Sequence, residues 1–254
     1  MKRSNQEIQE ILSKRRFRTI FEVVPGVFTQ GKVEVAKRIE QYFKQAKVKS
    51  IKGKRFLDIG SWDGGFSFHF EKLGAEVVAV DVMDPDKFGF NLLKDLLESK
   101  VEFHRMTVYD MEPENVGMFD YILFSGVFYH LKHPLLALEK INAVLNKGGI
   151  VFGSGTTSDH YFTQGRKNLQ LNKEYPKANN FPIAFYADGD FMKDKTNWVI
   201  PNAKCLENWF LRSGFEIIFL RNNAGAKTAS GEIRSVANFA VRKIGPPDVE
   251  HPYL

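Results

Sequence analysis

From Lys54 to Phe152 the chain alternates short apolar runs with amphipathic stretches, and this alternation restricts the possible folds more than any other feature. Runs such as AEVVAVDV and FDYILFSG have the length of buried strands, whereas PLLALEKINAVLNKGG has helical periodicity and ends in glycine. Strands alternating with helices at this spacing build a parallel sheet through right-handed crossovers. Two late runs, FEIIFLRNN and RSVANFAVRK, predict a closing antiparallel hairpin. The sequence therefore predicts a doubly wound, Rossmann-like α/β fold.

The remaining segments divide the chain around this core. Residues 1–50 predict a basic helical extension, with helices at 4–16 and 33–47 and a turn-rich stretch between them. The core domain is expected over residues 51–245, followed by an irregular tail at 246–254. Within the core, residues 157–200 are polar and aromatic and predict an inserted lid or acceptor-binding segment.

Composition narrows the setting of the protein. The single cysteine, Cys205, excludes an internal disulfide and favours a reducing, cytoplasmic location, and no cluster has metal-ligand spacing. No apolar run approaches the ~20 residues of a membrane span, and the start MKRSNQEIQE lacks the apolar core of a secretory signal. Residues 1–55 hold fifteen Lys and Arg against five Glu, which is typical either of a polyanion-binding surface or of a solvated basic helix.

The segment LDIGSWDGG, which starts at Leu57, follows the first strand of the alternating region. Gly60 and Gly64 allow a tight turn and a close approach to a ligand, and the helix that follows offers unpaired N–H groups. Asp58 in front of this loop would repel a dinucleotide pyrophosphate but suits an ammonium group, such as that of the methionine part of S-adenosylmethionine. Ser61 and Trp62 complete the loop and are predicted cofactor contacts.

Asp81 ends the second strand, where a carboxylate can accept hydrogen bonds from both ribose hydroxyls. Val82 beside it is expected to cover the adenine ring, because carboxyl ends of parallel strands meet at one edge of a sheet. Each position alone is also compatible with a structural turn, but the ordered set is much more specific. Further predicted cofactor-binding positions at later strand ends are Tyr109, Asp110, Phe124, Ser125 and Tyr129.

His130 follows the fourth strand and is the best candidate for a general base, because its ordinary pKa suits proton transfer near neutral pH. A histidine that only stabilises the loop before Pro134 is the competing interpretation. Tyr129 is predicted to line the same catalytic region. Further candidates on the acceptor side are His133, Asp159, His160 and Tyr161.

The motifs FLDIGSWDGGFSFHFEKLGA, FDYILFSGVFYHLKHPLLAL and WVIPNAKCLENWFLRSGF resemble class I S-adenosylmethionine-dependent methyltransferases. Within them, GVFYHLKHP and the W-x-I-P segment are similar to the group that includes the tRNA wobble-uridine carboxymethyltransferases. The resemblance implies a seven-stranded, mostly parallel sheet with a reversed last strand, and cofactor roles for Asp58, Gly60, Gly64 and Asp81. It also implies that Tyr129 contacts the extra carboxylate of carboxy-S-adenosylmethionine.

Two positions depart from that group. Trp62 replaces the usual middle glycine of the loop, and GVFTQGKVEVAKR lacks the Trp of the Trp and Lys pair that grips the extra carboxylate, with Lys32 the one partial match. Ordinary S-adenosylmethionine is therefore the expected cofactor, and an oxygen of a small molecule or saccharide the expected acceptor. Two alternatives stay open: a tRNA wobble-uridine methyl- or carboxymethyltransferase, and a non-catalytic partner subunit that retains the fold.

Overall fold

The computed structural model shows two compact units, Met1–Leu123 and Phe124–Leu254. Among the described residues, no helix is long and apolar enough to cross a bilayer. Tyr161 and parts of the inserted segment and tail lie outside the described residues. The structure describes residues 3–160, 162–164, 167–169, 177–187, 191, 194–227 and 233–248.

The first unit starts with the N-terminal helices and continues into the alternating region. Residues Val108–Asp110 add a short 3-10 helix. In chain order its main elements are α1 (Asn5–Ser13), β1 (Thr19–Ile20), β2 (Glu22–Val24), β3 (Val27–Phe28), β4 (Val33–Glu34), α2 (Val35–Ala46), β5 (Arg55–Ile59), α3 (Gly65–Lys72), β6 (Glu76–Asp81), α4 (Phe90–Leu97), β7 (Glu102–Arg105) and α5 (Pro113–Val116).

The second unit begins within β8, and two 3-10 helices, Phe128–His130 and Ala178–Asn180, lie among its elements. Two short antiparallel pairs, β10 with β11 and β12 with β13, lie in or at the end of the inserted segment predicted over residues 157–200. The elements in chain order are β8 (Phe119–Ser125), α6 (Pro134–Val144), β9 (Leu145–Thr157), β10 (Phe162–Gln164), β11 (Lys167–Leu169), β12 (Ala184–Tyr186), β13 (Val199–Pro201), α7 (Ala203–Arg212), β14 (Phe215–Lys227) and β15 (Ile233–Lys243).

Seven strands form one sheet in the order β14-β15-β9-β8-β5-β6-β7. Strand β6 pairs in parallel with β5 and with β7, whereas β15 runs antiparallel to both β9 and β14. The β5 residues Phe56 and Leu57 are fully buried, as expected for a parallel strand covered on both faces. The predicted seven-stranded, mostly parallel sheet with a reversed last strand is confirmed.

Helix α6 ends earlier than its sequence pattern predicts. The glycines at 148 and 149 predict the end of this helix, but the chain is already extended at Leu145, with φ −96° and ψ 133°. Lys243 Nζ lies 2.6 Å from the carbonyl oxygen of Asn142 and 2.7 Å from that of Leu145. The ammonium thus satisfies carbonyls that a longer helix would have used internally, and β9 starts at once.

The N-terminal region has more strand than the sequence predicts. Four short strands lie between α1 and α2, where a turn-rich stretch is expected: β1 pairs in parallel with β4, and β2 pairs antiparallel with β3. Helix α1 begins directly after Ser4, the first residue of the helix predicted over 4–16, and Ser4 and Glu7 form a reciprocal capping box. The predicted limits of the domains at residues 50 and 246 stay predictions.

Candidate cofactor-binding and acceptor residues

The loop between β5 and α3 is built on two glycines with left-handed backbone. Gly60 has φ 75° and Gly64 has φ 78°, a region that disfavours side chains. A Cβ on Gly64 would lie 2.5 Å from Phe68 Cε2 and 2.7 Å from Phe90 Cδ2. Gly60 also donates its N–H to the Val80 carbonyl at 2.8 Å, which holds the loop against the end of β6. The predicted turn is therefore required sterically as well as by backbone conformation.

Asp58 is 2% exposed at the end of β5, and the Ser67 hydroxyl of α3 donates to its Oδ2 at 2.6 Å. Burial raises the pKa of the Asp58 carboxyl from 3.8 to about 7, and the negative charges of Asp81 and Asp63 add to this rise, while the hydrogen bonds from Ser67 oppose it. Burial and the neighbouring negative charges both disfavour ionised Asp58, and a bound cation would offset both effects. The environment therefore favours binding of an ammonium group here.

The Asp81 carboxylate is 8% exposed, and each of its oxygens accepts one backbone N–H at 2.9 Å, Oδ2 from Trp62 and Oδ1 from Met83. A carboxylate oxygen has a second lone pair, so both oxygens retain acceptor capacity for a pair of hydroxyls. Val82 is 54% exposed, an apolar surface at the end of the strand. This arrangement fits a ribose with an adenine ring beside it.

Two further features of the loop fit a polar ligand. The Ser61 hydroxyl is buried and has no hydrogen-bond partner among the described residues. A buried hydroxyl in that condition is costly unless a ligand or water supplies the partner. Trp62 has φ 53°, and its indole stacks on Phe88 with ring centroids 3.8 Å apart. The Arg18 guanidinium lies 5.9 Å from the same indole.

Tyr109 and Asp110 lie in the 3-10 helix after β7, as predicted for the end of a strand. Asp110 Oδ2 accepts hydrogen bonds from Thr107 N at 3.2 Å and from Thr107 Oγ1 at 2.5 Å. The aspartate therefore stabilises the turn that presents Tyr109. Tyr109 is half-buried and Asp110 is exposed, so both remain candidates for adenine contacts.

Asp63 is a buried structural residue of the loop that the sequence analysis did not single out. It is fully buried, and it accepts from Arg18 N at 2.6 Å, from Thr19 N and Oγ1 at 2.9 Å each, and from Gly65 N at 3.3 Å. A Cβ on Gly65 would lie 2.1 Å from Thr19 Oγ1. The N-terminal strand β1 therefore packs directly on the loop, and the acid within SWDGG was the available signal.

In the second unit, the end of β8 is packed against β9. Phe124 is 1% exposed, and Ser125 Oγ lies 2.9 Å from Ser154 Oγ. Gly126 donates its N–H to the Ser154 carbonyl at 2.7 Å. Burial of Phe124 and the contact of Ser125 with Ser154 give both residues a structural role. Their predicted contacts with the cofactor stay predictions.

Tyr129 and His130 follow in the 3-10 helix, with ring centroids 4.3 Å apart. Tyr129 is 7% exposed, and its carbonyl accepts from Trp198 N at 2.8 Å. His130 Nδ1 lies 2.9 Å from Thr196 Oγ1, so this histidine is oriented by a residue of the inserted segment. Their predicted catalytic roles stay predictions.

The other acceptor-side candidates have structural partners. Both Asp159 carboxylate oxygens accept from Ala203 N at 3.0 Å, at the start of α7, where Asn202 is the cap. His160 donates its backbone N–H to Ser235 Oγ at 3.1 Å. His133 lies at the N-terminus of α6. The structure therefore explains Asp159 as a helix-terminal acceptor.

The sheet order and the acid-and-glycine loop after β5 define the class of S-adenosylmethionine-dependent methyltransferases with an α/β fold. A family model described as a methyltransferase domain matches residues 29–220, which is more than half of the chain. The chain belongs to this methyltransferase family. The predicted membership in the class of S-adenosylmethionine-dependent methyltransferase domains is thereby confirmed.

Among curated proteins, the chain is similar to tRNA U34 carboxymethyltransferases. The one from Campylobacter hominis is 29% identical over 167 residues, which are 65% of this chain and 52% of that protein. The one from Campylobacter fetus is 28% identical over 177 residues, 68% of this chain and 56% of that protein. The chain thus spans about half the length of the curated relatives it matches.

Solved structures share the fold at low sequence identity. The N-terminal domain of EvdMO1, with S-adenosylhomocysteine bound, has a TM-score of 0.59 and 14% identity, covering 95% of this chain and 97% of that one. The 1,6-didemethyltoxoflavin-N1-methyltransferase of Burkholderia thailandensis has a TM-score of 0.54 and 14% identity, covering 82% and 86%. These likenesses support the fold alone.

Proposed function

We propose that this protein transfers a methyl group from S-adenosylmethionine to an oxygen of a small-molecule or saccharide acceptor. The main support for S-adenosylmethionine as the cofactor is the Asp81 carboxylate. The N–H groups of Trp62 and Met83 hold it, and both of its oxygens can accept a further hydrogen bond. When bound, S-adenosylmethionine supplies an electrophilic methyl group on a positively charged sulfur. Asp81 would hold the ribose hydroxyls, Val82 would cover the adenine, and Asp58 would balance the ammonium group.

Methyl transfer to oxygen also needs a group that accepts the hydroxyl proton. His130 is the candidate that the structure supports best, because the contacts of Nδ1 with Thr196 hold the ring in a defined orientation. In this proposal the chain orients the acceptor oxygen and removes its proton, while positioning supplies much of the acceleration. Tyr129 would line the acceptor side beside His130.

Two observations support a small acceptor over a nucleic acid. The stretch after β2 lacks the Trp of the pair that the resemblance implies for the carboxylated cofactor. In addition, several N-terminal cations are paired with nearby acids or carbonyls: Lys14 with Glu10 at 2.8 Å, Lys37 with Glu34 at 3.4 Å, and Arg15 with the Asp86 carbonyl at 2.7 Å. The two ion pairs reduce the net positive charge that faces phosphates, and the bond of Arg15 to a carbonyl occupies one of its guanidinium donors.

A tRNA methyl- or carboxymethyltransferase is the second candidate, and the similarity to tRNA U34 carboxymethyltransferases favours it. The excess of basic residues before Lys54 also supports it, because neutralised phosphates release counterions and strengthen binding at low salt. A gel-shift titration with unmodified bulk tRNA at two salt concentrations tests this candidate. A steep loss of affinity with salt supports tRNA, and absence of binding at low salt supports the small acceptor.

The first experiment is calorimetric titration with S-adenosylmethionine, S-adenosylhomocysteine and carboxy-S-adenosylmethionine. We expect the ordinary cofactor and its product to bind, and Asp81→Ala to weaken both by at least ~10-fold, about 1.4 kcal/mol. Asp84→Asn is the matched control, because this exposed acid lies three residues further on and Asn retains its Oδ1 acceptor for Asp86 N. Preference for the carboxylated form would favour the tRNA enzyme.

Binding of none of the three by folded wild-type protein would contradict the proposal and favour a non-catalytic partner subunit. In that case Asp81→Ala would change only the free energy of unfolding. One titration series with one control variant therefore separates a cofactor-binding methyltransferase from a non-catalytic partner subunit.

A further inference from the structure

The second unit contains a hydrogen-bonded series of three polar side chains that joins two distant stretches of the sequence. It consists of Asp194, Thr196 and His130, and Thr196 is 66 residues from His130 in sequence. His130 Nδ1 lies 2.9 Å from Thr196 Oγ1 and 3.2 Å from the Thr196 carbonyl oxygen. Thr196 Oγ1 in turn lies 2.5 Å from Asp194 Oδ1.

The direction of each hydrogen bond follows from donor and acceptor chemistry. A threonine hydroxyl has one proton, and the Asp194 carboxylate can only accept, so the Thr196 hydroxyl donates to Asp194. The Thr196 oxygen therefore presents a lone pair to the imidazole, and the Thr196 carbonyl is likewise an acceptor. Both contacts require a proton on Nδ1 of His130.

The charge of Asp194 also supports a hydrogen bond donated by the Thr196 hydroxyl to the carboxylate. Partial burial raises the pKa of the Asp194 carboxyl, but the hydrogen bonds from the Thr196 hydroxyl and N–H outweigh it and, with the charge of His130, hold the pKa below its ordinary value. Asp194 is therefore ionised at neutral pH. An ionised carboxylate is an obligatory acceptor, so it fixes the rotation of the Thr196 hydroxyl.

The backbone around Thr196 is itself held in place by hydrogen bonds. Asn197 is 5% exposed, and its Nδ2 donates to the Phe191 carbonyl at 2.9 Å. Trp198 donates its N–H to the Tyr129 carbonyl at 2.8 Å. Asn197, which follows Thr196, is thus fixed through its side chain, and Tyr129, which precedes His130, is fixed through its backbone carbonyl, so the two side chains are held in register.

We propose that Thr196 and Asp194 are positioning residues that hold His130 as its Nδ1–H tautomer, so that Nε2 is the atom that accepts the proton of the acceptor hydroxyl. This inference rests on the proposed function. As the acceptor oxygen forms its bond to the methyl carbon and the carbon–sulfur bond breaks, the hydroxyl proton passes to Nε2. The positive charge lost at sulfur, which keeps the bond electrons as a neutral thioether, reappears on the imidazolium. The Asp194 carboxylate stabilises that charge through Thr196.

The test is a long-range ¹H–¹⁵N correlation spectrum of the histidine rings at pH 8, with His130→Gln used to assign the His130 signals. In the wild-type protein we expect a protonated Nδ1 and an unprotonated Nε2, the reverse of the tautomer that histidine prefers in water. In Thr196→Val we expect the Nε2–H tautomer to become populated, whereas the matched variant Thr196→Ser keeps the wild-type pattern.

A wild-type spectrum with Nε2–H would overturn the proposal, even if Thr196→Val failed to fold. An unchanged tautomer in folded Thr196→Val would also overturn it, because the Thr196 carbonyl alone would then hold the ring. Parallel calorimetry with S-adenosylmethionine separates this failure from failure of the proposed function, since the tautomer is read without the cofactor. Wild-type affinity in both Thr196 variants is the expected result.

Discussion

The Thr19 hydroxyl donates a buried hydrogen bond of 2.9 Å to the Asp63 carboxylate, although the two residues are 44 positions apart. Thr19 is in β1, and Asp63 is in the loop whose neighbours Ser61 and Trp62 are predicted cofactor contacts. The same carboxylate accepts from the N–H groups of Arg18 and Thr19. The N-terminal strand β1 thus holds the loop in place. A change at Asp63 should therefore alter both the geometry of the loop and the free energy of unfolding.

Asp63→Asn tests this coupling. One carboxylate oxygen becomes an NH₂ group that faces donors, so we expect a loss of about 1–3 kcal/mol in the free energy of unfolding. We also expect weaker binding of S-adenosylhomocysteine, because the loop loses its anchor. Urea denaturation and calorimetry measure the two effects. The control is Asp84→Asn, and equal stability of the two variants would contradict the prediction.

Asp58 makes the stability of the ligand-free protein depend on pH. Its pKa is raised to about 7 in the folded state from 3.8, so the folded state binds more protons than the unfolded state between these values. The stabilisation by neutral Asp58 is fully present below pH 3.8 and is lost as the pH rises through about 7. Asp58→Asn should therefore raise the melting temperature of the ligand-free protein at pH 8.

The matched measurement for Asp58 is binding of S-adenosylmethionine at pH 6 and pH 8. Affinity should increase with pH in the wild-type protein, because an ionised carboxylate is the better partner for an ammonium group. In Asp58→Asn this dependence should disappear while the melting temperature rises. A wild-type affinity that falls over this range would rule out the assigned role.

Trp62 allows a comparison of backbone strain with side-chain packing. Its φ of 53° disfavours any side chain, while its stack on Phe88 is stabilising. Both Trp62→Ala and Trp62→Gly remove the stack, but only Gly relieves the strain, so we expect the Gly variant to be more stable by about 1 kcal/mol. Thermal unfolding of the two variants checks the order. An Ala variant at least as stable as the Gly variant would show that the loop relaxes.

Lys243 stabilises the corner between α6 and β9. Lys243→Met removes the ammonium from the carbonyls of Asn142 and Leu145, and we expect a loss of about 1–3 kcal/mol in the free energy of unfolding. Lys147→Met is the control, because Lys147 is an exposed lysine of β9, the strand that begins at this corner. Chemical denaturation of both variants gives the difference, and a similar loss in both would contradict the assignment.

The sequence by itself determined the core architecture and the position of the glycine turn after β5. Strand and helix periodicity predicted the sheet, and the turn glycines Gly60 and Gly64 and the strand-end Asp81 were recognisable because their positions depend on local backbone geometry at strand ends. Such features are encoded within a few residues, where glycine conformation and strand burial are decided. A similar local signal predicted the start of the first helix at residue 4, where the structure has Ser4 as the cap.

Only the tertiary structure decided the contacts between residues far apart in the chain. The bonds of Asp63 with Thr19, of Lys243 with Asn142, and of His130 with Thr196 depend on how elements pack, and no local pattern specifies those distances. Tertiary contacts also ended α6 at Val144, four residues before Gly148, because Lys243 satisfied carbonyls that the helix would otherwise have used. The physical reason is common to all of them: buried donors and acceptors must be paired, and the folded chain selects the partner.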